Sequence, residues 1–233
     1  MKSYREEKAE IERRLRQMAD VVERVLDASL VAVAERSEEH ARRVLELEPR
    51  IDTMELETDH LIASVIALHQ PEEGELRHLA GAIKITGELE RMADHAVSIA
   101  DHAFALVSGP RLAVPADLNR LGGLVKTMVH RGLDSYLRQD AAAAEQVMRT
   151  EQAVSALHDE IVEELIALMH QDPAQVRPAL DLILVARKLE RVADHATNIA
   201  EDVLGFRRRG AAALLAGCRS VIAEATLAWP AAK

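Results

Sequence analysis

One segment of this chain occurs twice. ERMADHAVSIAD runs from Glu90 to Asp101, and ERVADHATNIAE runs from Glu190 to Glu201, 100 positions later, with Glu, Arg, Ala, Asp, His, Ala, Ile and Ala in register. The similarity extends upstream at the same offset: Leu61, Val65, Ile66, Ala67 and Leu68 align with Ile161, Leu165, Ile166, Ala167 and Leu168, and Asp59 aligns with Asp159. The 233 residues therefore divide into two related units, each large enough to bury its own core. Only 2% of residues are aromatic, and Ala, Leu, Val, Glu and Arg dominate, a composition that favours helix over strand.

Helix signals predict an all-α protein: two tandem repeats of an antiparallel three-helix bundle, six long helices in all, with a short C-terminal helix. The first bundle is expected over residues 1–107, the second over 115–207, and a tail over 208–233. Ser37, followed by Glu38 and Glu39, is a good N-cap for the second helix, and Pro49 inside that helix should kink it near Leu45 to Glu48. HQPEEG, His69 to Gly74, reads as the turn into the third helix, which should end near Leu106. LVSGPRLAVPAD, Leu106 to Asp117, reads as the linker between repeats. Pro115 is expected in the first turn of the fourth helix, Asp140 as the cap of the fifth, and Asp172 with Pro173 as cap and first position of the sixth.

The net charge of −10 disfavours nucleic acid, which is held by clustered Lys and Arg, and suits cations or basic proteins. The single cysteine, Cys218, has no partner for an internal disulfide, and MKSYREEKAEIERR carries acids where a secretion signal has its apolar stretch, so a cytoplasmic protein is expected. Ala211 to Pro230 is interrupted by Arg219 and Glu224 and falls short of a membrane span.

On a helical wheel Glu90, Asp94 and Asp101 fall within roughly 40° of one another, beside Leu79, Ile83 and Val97. Glu190, Asp194 and Glu201 repeat the pattern, and the second helix carries Glu48, Asp52, Glu55 and Asp59 in a similar stripe. Lys84, Arg91, His95 and His102 centre roughly 110° away, on what reads as the solvated face. Taken singly, a Glu-x-x-x-Asp spacing is ordinary on a helix surface, with Arg91, Arg191 and Lys188 at hand to pair with it. Its retention in both copies, while Gly87 became Arg187 and Ser98 became Asn198, argues for more than solubility. Carboxylates gathered at a helix border raise one another's pKa unless a cation offsets the charge, and oxygen-only ligands suit Mg, Mn, Ca or Fe, one ion or several. His95 and His195 read as hydrogen-bonding partners of a neighbouring helix rather than ligands of the same ion. Glu57 and His60 have the spacing of a di-iron bundle but lack the required second pair, and no phosphate-cradling Gly-rich loop is present.

ELERMADHAVSIAD and RKLERVADHATNIAEDV, together with MELETD in the second helix and the HQP turn before LRHLAGAIKI, resemble the paired signature of the PhoU family, accessory regulators of the phosphate-specific transport system. The resemblance spans roughly residues 5 to 205. It implies a non-enzymatic cytoplasmic protein that carries metal ions (Fe, Mn, Mg or Zn, in clusters of several). By position, the implied ligands are Glu55, Asp59, Glu90, Asp94 and Asp101 in the first bundle and Asp159, Glu190, Asp194 and Glu201 in the second. The implied partners are the ATPase of a phosphate ABC transporter and a phosphate-sensing histidine kinase, with membrane contact only through them and two copies of the chain paired as a homodimer. Two departures matter: Ala93 and Ala193 stand where the family usually has Gly, and Ser155 stands opposite Glu55, leaving the second site poorer in carboxylates. A metal-dependent enzyme, or a phosphotransfer bundle using an exposed His95 or His195, is the competing expectation.

Overall fold

The computed structural model describes residues 3–205. They form α1 (Tyr4–Glu35), α2 (Glu38–His69), α3 (Glu73–Ser108), α4 (Ala116–Arg138), α5 (Ala141–Gln171) and α6 (Val176–Gly205), with no strand among the described residues. The tail helix expected over 208–233 lies outside the described residues, as do Cys218 and Trp229.

Helix boundaries follow local chemistry. Ser3 and Glu6 close a reciprocal capping box on α1, Ser37 accepts from the His40 N–H, and Asp140 accepts from the Ala142 and Ala143 N–H groups. Asp172 caps as expected, but the turn it caps is a 3₁₀ segment, Pro173–Gln175, so α6 starts three residues later than the sequence reading placed it. Pro115 is the N-cap residue of α4 rather than a first-turn residue, and α2 continues as one helix through Pro49.

Arg36, Gln70 and Gln139 end their helices in the left-handed region, with φ of 52°, 45° and 52°. At Arg36 the side chain contributes as well as the backbone. Its guanidinium donates to the carbonyls of Leu106 (2.7 Å), Gly109 (3.4 Å) and Leu112 (3.3 Å), joining the α1–α2 turn to the end of α3 and to the linker.

α1, α2 and α3 pack on one another, as do α4, α5 and α6, and the two bundles join along α3–α6 and, less extensively, α1–α4. The duplicated segment supplies matched core positions: Leu89 and Leu189, Met92 and Val192, Ala96 and Ala196, Ile99 and Ile199, and Ala100 and Ala200 are all fully buried. Alanine dominates where helices come close. At Gly132 of α4 an added Cβ would stand 3.2 Å from the Ala196 carbonyl oxygen of α6, so backbone approaches backbone there. Burying residues of this size removes cavities, and truncating one opens a void. Leu89→Ala and Leu189→Ala are each expected to destabilise the fold by about 2–5 kcal/mol, read from the midpoint of chemical unfolding.

Candidate functional site

The structure gathers acids from two helices of the first bundle. Glu48, Asp52, Glu55 and Asp59 come from α2, and Glu90 and Asp94 from α3. Their proximity registers electrostatically. Burial, then Asp94 and Glu55, push Glu90 up to about 7. Burial and Glu55 push Asp59 up to about 7, against a hydrogen bond from the Thr86 hydroxyl, 2.7 Å away, that favours the ionised form. Glu55 is raised by burial, with Asp52 and Asp94 adding to it and Arg91 opposing, and Glu48 is raised by burial, Asp52 and Asp94. Asp59 is the one acid of this set that is buried outright, because α2 turns it toward Thr86. Asp101 is exposed.

The second bundle handles the same motif differently. Met148, Gln152 and Ser155 occupy the positions of Glu48, Asp52 and Glu55, so α5 brings fewer charges. Glu190 is paired with Arg187, whose counterpart in the first bundle is Gly87, and Asp194 is paired with Arg191 at 3.0 Å. Asp159 lies 3.1 Å from its neighbour His158 with its side chain 78% exposed. Glu201 is exposed and lines a groove with Lys84, Glu88, Arg91, Asn198 and Asp202. Of the residues named from the sequence, Glu55, Asp59, Glu90 and Asp94 thus form one cluster, while Asp159, Glu190 and Asp194 are separately paired and Asp101 and Glu201 stand apart.

Among the described residues no three His, Cys, Asp or Glu side chains converge as a ready coordination shell. In the first bundle the donor chemistry nevertheless fits a hard cation: six carboxylates on two facing helices, with Arg91 as the cation bearing on them, itself held 3.2 Å from Glu88. In the second, arginine already supplies the positive charge.

The placing of Lys84, His95 and His102 on the solvated face is corrected, whereas the expectation that His95 and His195 hydrogen-bond to a neighbouring helix holds. They lie in the seam between α3 and α6. Lys84 reaches Asp202 at 3.1 Å, His102 reaches Asp181 at 3.1 Å, and His95 meets His195 with the two Nε2 atoms 3.3 Å apart. A helical wheel assigns one buried arc per helix, whereas α3 is covered by α1, α2 and α6. Burial, then the neighbouring His195 and Lys188, push His95 down to about 4. Glu88, which the sequence reading did not single out, lies at the centre of this seam. His195 Nδ1 stands 2.7 Å from it and the Asn198 amide donates to it at 3.1 Å. Burial alone would raise Glu88, but these hydrogen bonds and Arg91 hold it below the ordinary value. Its one sequence signal was the divergence of position 88 from Lys188.

Fold and site define a class: a duplicated helical scaffold with an acid stripe that Arg91 offsets only in part on one half and an arginine-paired one on the other. Comparison with known proteins gives the family. The PhoU domain model matches residues 15–103 and again 118–203, and the chain belongs to this family. It is 34% identical over 204 residues to a phosphate-specific transport system accessory protein PhoU homolog of Caulobacter vibrioides, covering 87% of this chain and 89% of that protein. It is 34% identical over 174 residues to the corresponding homolog of Aquifex aeolicus, covering 75% and 79%. The crystal structure of PhoU from Pseudomonas aeruginosa superposes with a TM-score of 0.82 at 29% identity, covering 88% of this chain and 99% of that one.

Asp59 and Glu90 hold protons more tightly folded than unfolded. That preference stabilises the fold fully below the ordinary carboxylate range and is lost as pH rises through about 7. Their contribution should therefore be lost between about pH 4 and pH 7, where His78 and His95, both pushed down to about 4, act in the opposite sense. The readout is the melting temperature of Asp59→Asn with Glu90→Gln relative to the wild type, which should shift in the variant's favour as pH rises across that range. An unchanged difference across that range would mean the acids are not coupled as described.

Proposed function

We propose that this chain is a regulatory accessory protein of phosphate-specific transport, which restrains the phosphate-starvation response by joining the ATPase of a phosphate ABC transporter to a phosphate-sensing histidine kinase. The observation that carries the reading is the family match in both repeats, with relatives named for that transport system over most of their length. The net charge of −10 suits a protein that docks on basic surfaces of its partners, and no helix among the described residues is long and apolar enough to cross a membrane. The protein works in the cytoplasm as a homodimer and performs no catalysis.

Its acid stripe binds divalent cations, and the load falls on the first bundle. Glu55, Asp59, Glu90 and Asp94, with Glu48 and Asp52, are the side chains that would hold the ion, which offsets their mutual repulsion. In the second bundle Arg187 and Arg191 already neutralise Glu190 and Asp194. A phosphotransfer role is less well supported, because the Nε2 atoms of His95 and His195 face each other across the seam instead of standing free.

A strain lacking the protein should express phosphate-starvation genes in phosphate-rich medium, and the intact chain should restore repression. Continued repression in the deletion strain would defeat the regulatory reading. Separately, metal analysis of protein purified without chelator should show the oxygen-preferring ions Mg, Mn or Fe lost in Glu90→Ala/Asp94→Ala and retained in Glu190→Ala/Asp194→Ala, with helicity by circular dichroism unchanged in both.

A further inference from the structure

We infer that His95 and His195 form a second metal site, which clamps the two bundles together and takes a borderline divalent ion of tetrahedral preference, Zn²⁺ above all. It is distinct in position and chemistry from the acid stripe and does not rest on the regulatory reading. The two histidines are the same residue of the two repeats, meeting across α3 and α6.

Three features of the geometry carry the assignment. The first is the distance between donors. Two imidazole nitrogens each about 2.0–2.1 Å from one tetrahedral ion stand about 3.3 Å apart, and their ring centroids stand about 5.2 Å apart. Here the Nε2 atoms are 3.3 Å apart and the centroids 5.2 Å, with 28° between the ring planes. A straight N–H···N hydrogen bond of the same length would separate the centroids further, to about 5.6 Å. The rings are thus tilted off the straight hydrogen-bonded arrangement, at the donor spacing of two ligands of one tetrahedral ion.

The second feature is Glu88. At 2.7 Å from His195 Nδ1 it accepts that N–H, which places the proton on Nδ1 and leaves the Nε2 lone pair directed at His95. A carboxylate on the far nitrogen of a ligating histidine is the recurrent way proteins orient such a ligand and raise its basicity. Asn198 also donates to the same Glu88 oxygen, at 3.1 Å, and fixes it in turn.

The third is the setting. The side chains of His195 and Glu88 are each only 15% exposed, so the rings are held by packing before any ion arrives. Lys188 and Arg191 bear on His95 as well, with Asp94 opposing them, so the acids alone do not make this a cation site and the nitrogen donors are its ligands. Mg²⁺ and Ca²⁺, which require oxygen ligands, are excluded, and imidazole-preferring ions are selected. With two protein ligands, the remaining coordination positions are left to water or to a small anion.

The test is Cu²⁺, as a paramagnetic stand-in for Zn²⁺, added to the full chain and read by electron paramagnetic resonance. One equivalent should give a spectrum with two coupled imidazole nitrogens. His95→Gln and His195→Gln should each weaken Cu²⁺ binding at least tenfold and remove one nitrogen from the spectrum. Glu88→Gln should retain both nitrogens and weaken binding about tenfold. Glu90→Ala/Asp94→Ala, which strips the acid stripe, should keep the two-nitrogen spectrum. Circular dichroism of each variant separates loss of the site from loss of the fold. A wild-type spectrum with oxygen ligands only, or a two-nitrogen spectrum that persists in folded His95→Gln and His195→Gln, would overturn the assignment; the latter would place the ion on others of the chain's ten histidines.

Discussion

The packing of α3 against α6 is the contact on which the rest of the molecule is arranged. Each of these helices must bury one face inside its own bundle and a second face against the other bundle, and the duplicated segment meets both demands with small apolar residues at matched positions. Alanine at 93, 96 and 100 and at 193, 196 and 200 keeps these helices narrow, and every one of those residues is buried. With two faces committed, the acids are confined to the border with α2 or α5. The polar residues that remain are drawn into the seam, where Lys84, His95 and His102 find partners on α6. The acid stripe and the histidine pair are thus two outcomes of one packing problem, solved on adjacent sides of the same helix.

The two repeats have kept the motif while changing what balances it. In the first, Gly87 and Glu88 precede Leu89 and Glu90; in the second, Arg187 and Lys188 precede Leu189 and Glu190. That exchange replaces a neutral and a negative residue with two positive ones, and α5 gives up three carboxylates at the same time. Arg91 and Arg191 respond accordingly. Arg91 leans back to Glu88, whereas Arg191, with a lysine at the equivalent position, leans forward to Asp194. A guanidinium beside a carboxylate and a divalent ion between carboxylates both relieve repulsion, but only the second leaves a site that depends on what the surroundings supply.

Much of this was legible in the sequence because periodicity and offset report on what each helix buries. The duplication, the six helices, the caps at Ser37 and Asp140 and the stripe containing Glu55, Asp59, Glu90 and Asp94 all follow from spacing. The asymmetry between bundles was legible only at Ser155; the same comparison at Met148 and Gln152 would have extended it. Of the seam, only the reach of His95 and His195 to a neighbouring helix was legible. Nothing in a single helical repeat says that its polar side will be covered by its own duplicate, and contacts such as His195 with Glu88 join residues 107 positions apart. The 3₁₀ turn ahead of α6 escaped for a simpler reason: Asp172 and Pro173 cap a 3₁₀ and an α start with the same chemistry.

Arg36 bears on how the molecule moves. A residue in the left-handed region carries a conformational cost unless its surroundings hold it there, and three carbonyls gathered by one guanidinium do so. Two of those carbonyls belong to Gly109 and Leu112 of the connection between bundles, the segment that composition alone would mark as a flexible joint. Stitched to the first bundle in this way, and with the halves also locked along α3–α6, the connection cannot serve as a swivel. The two bundles are thereby coupled as one body, and a displacement of either half is carried into the other through α3 and α6.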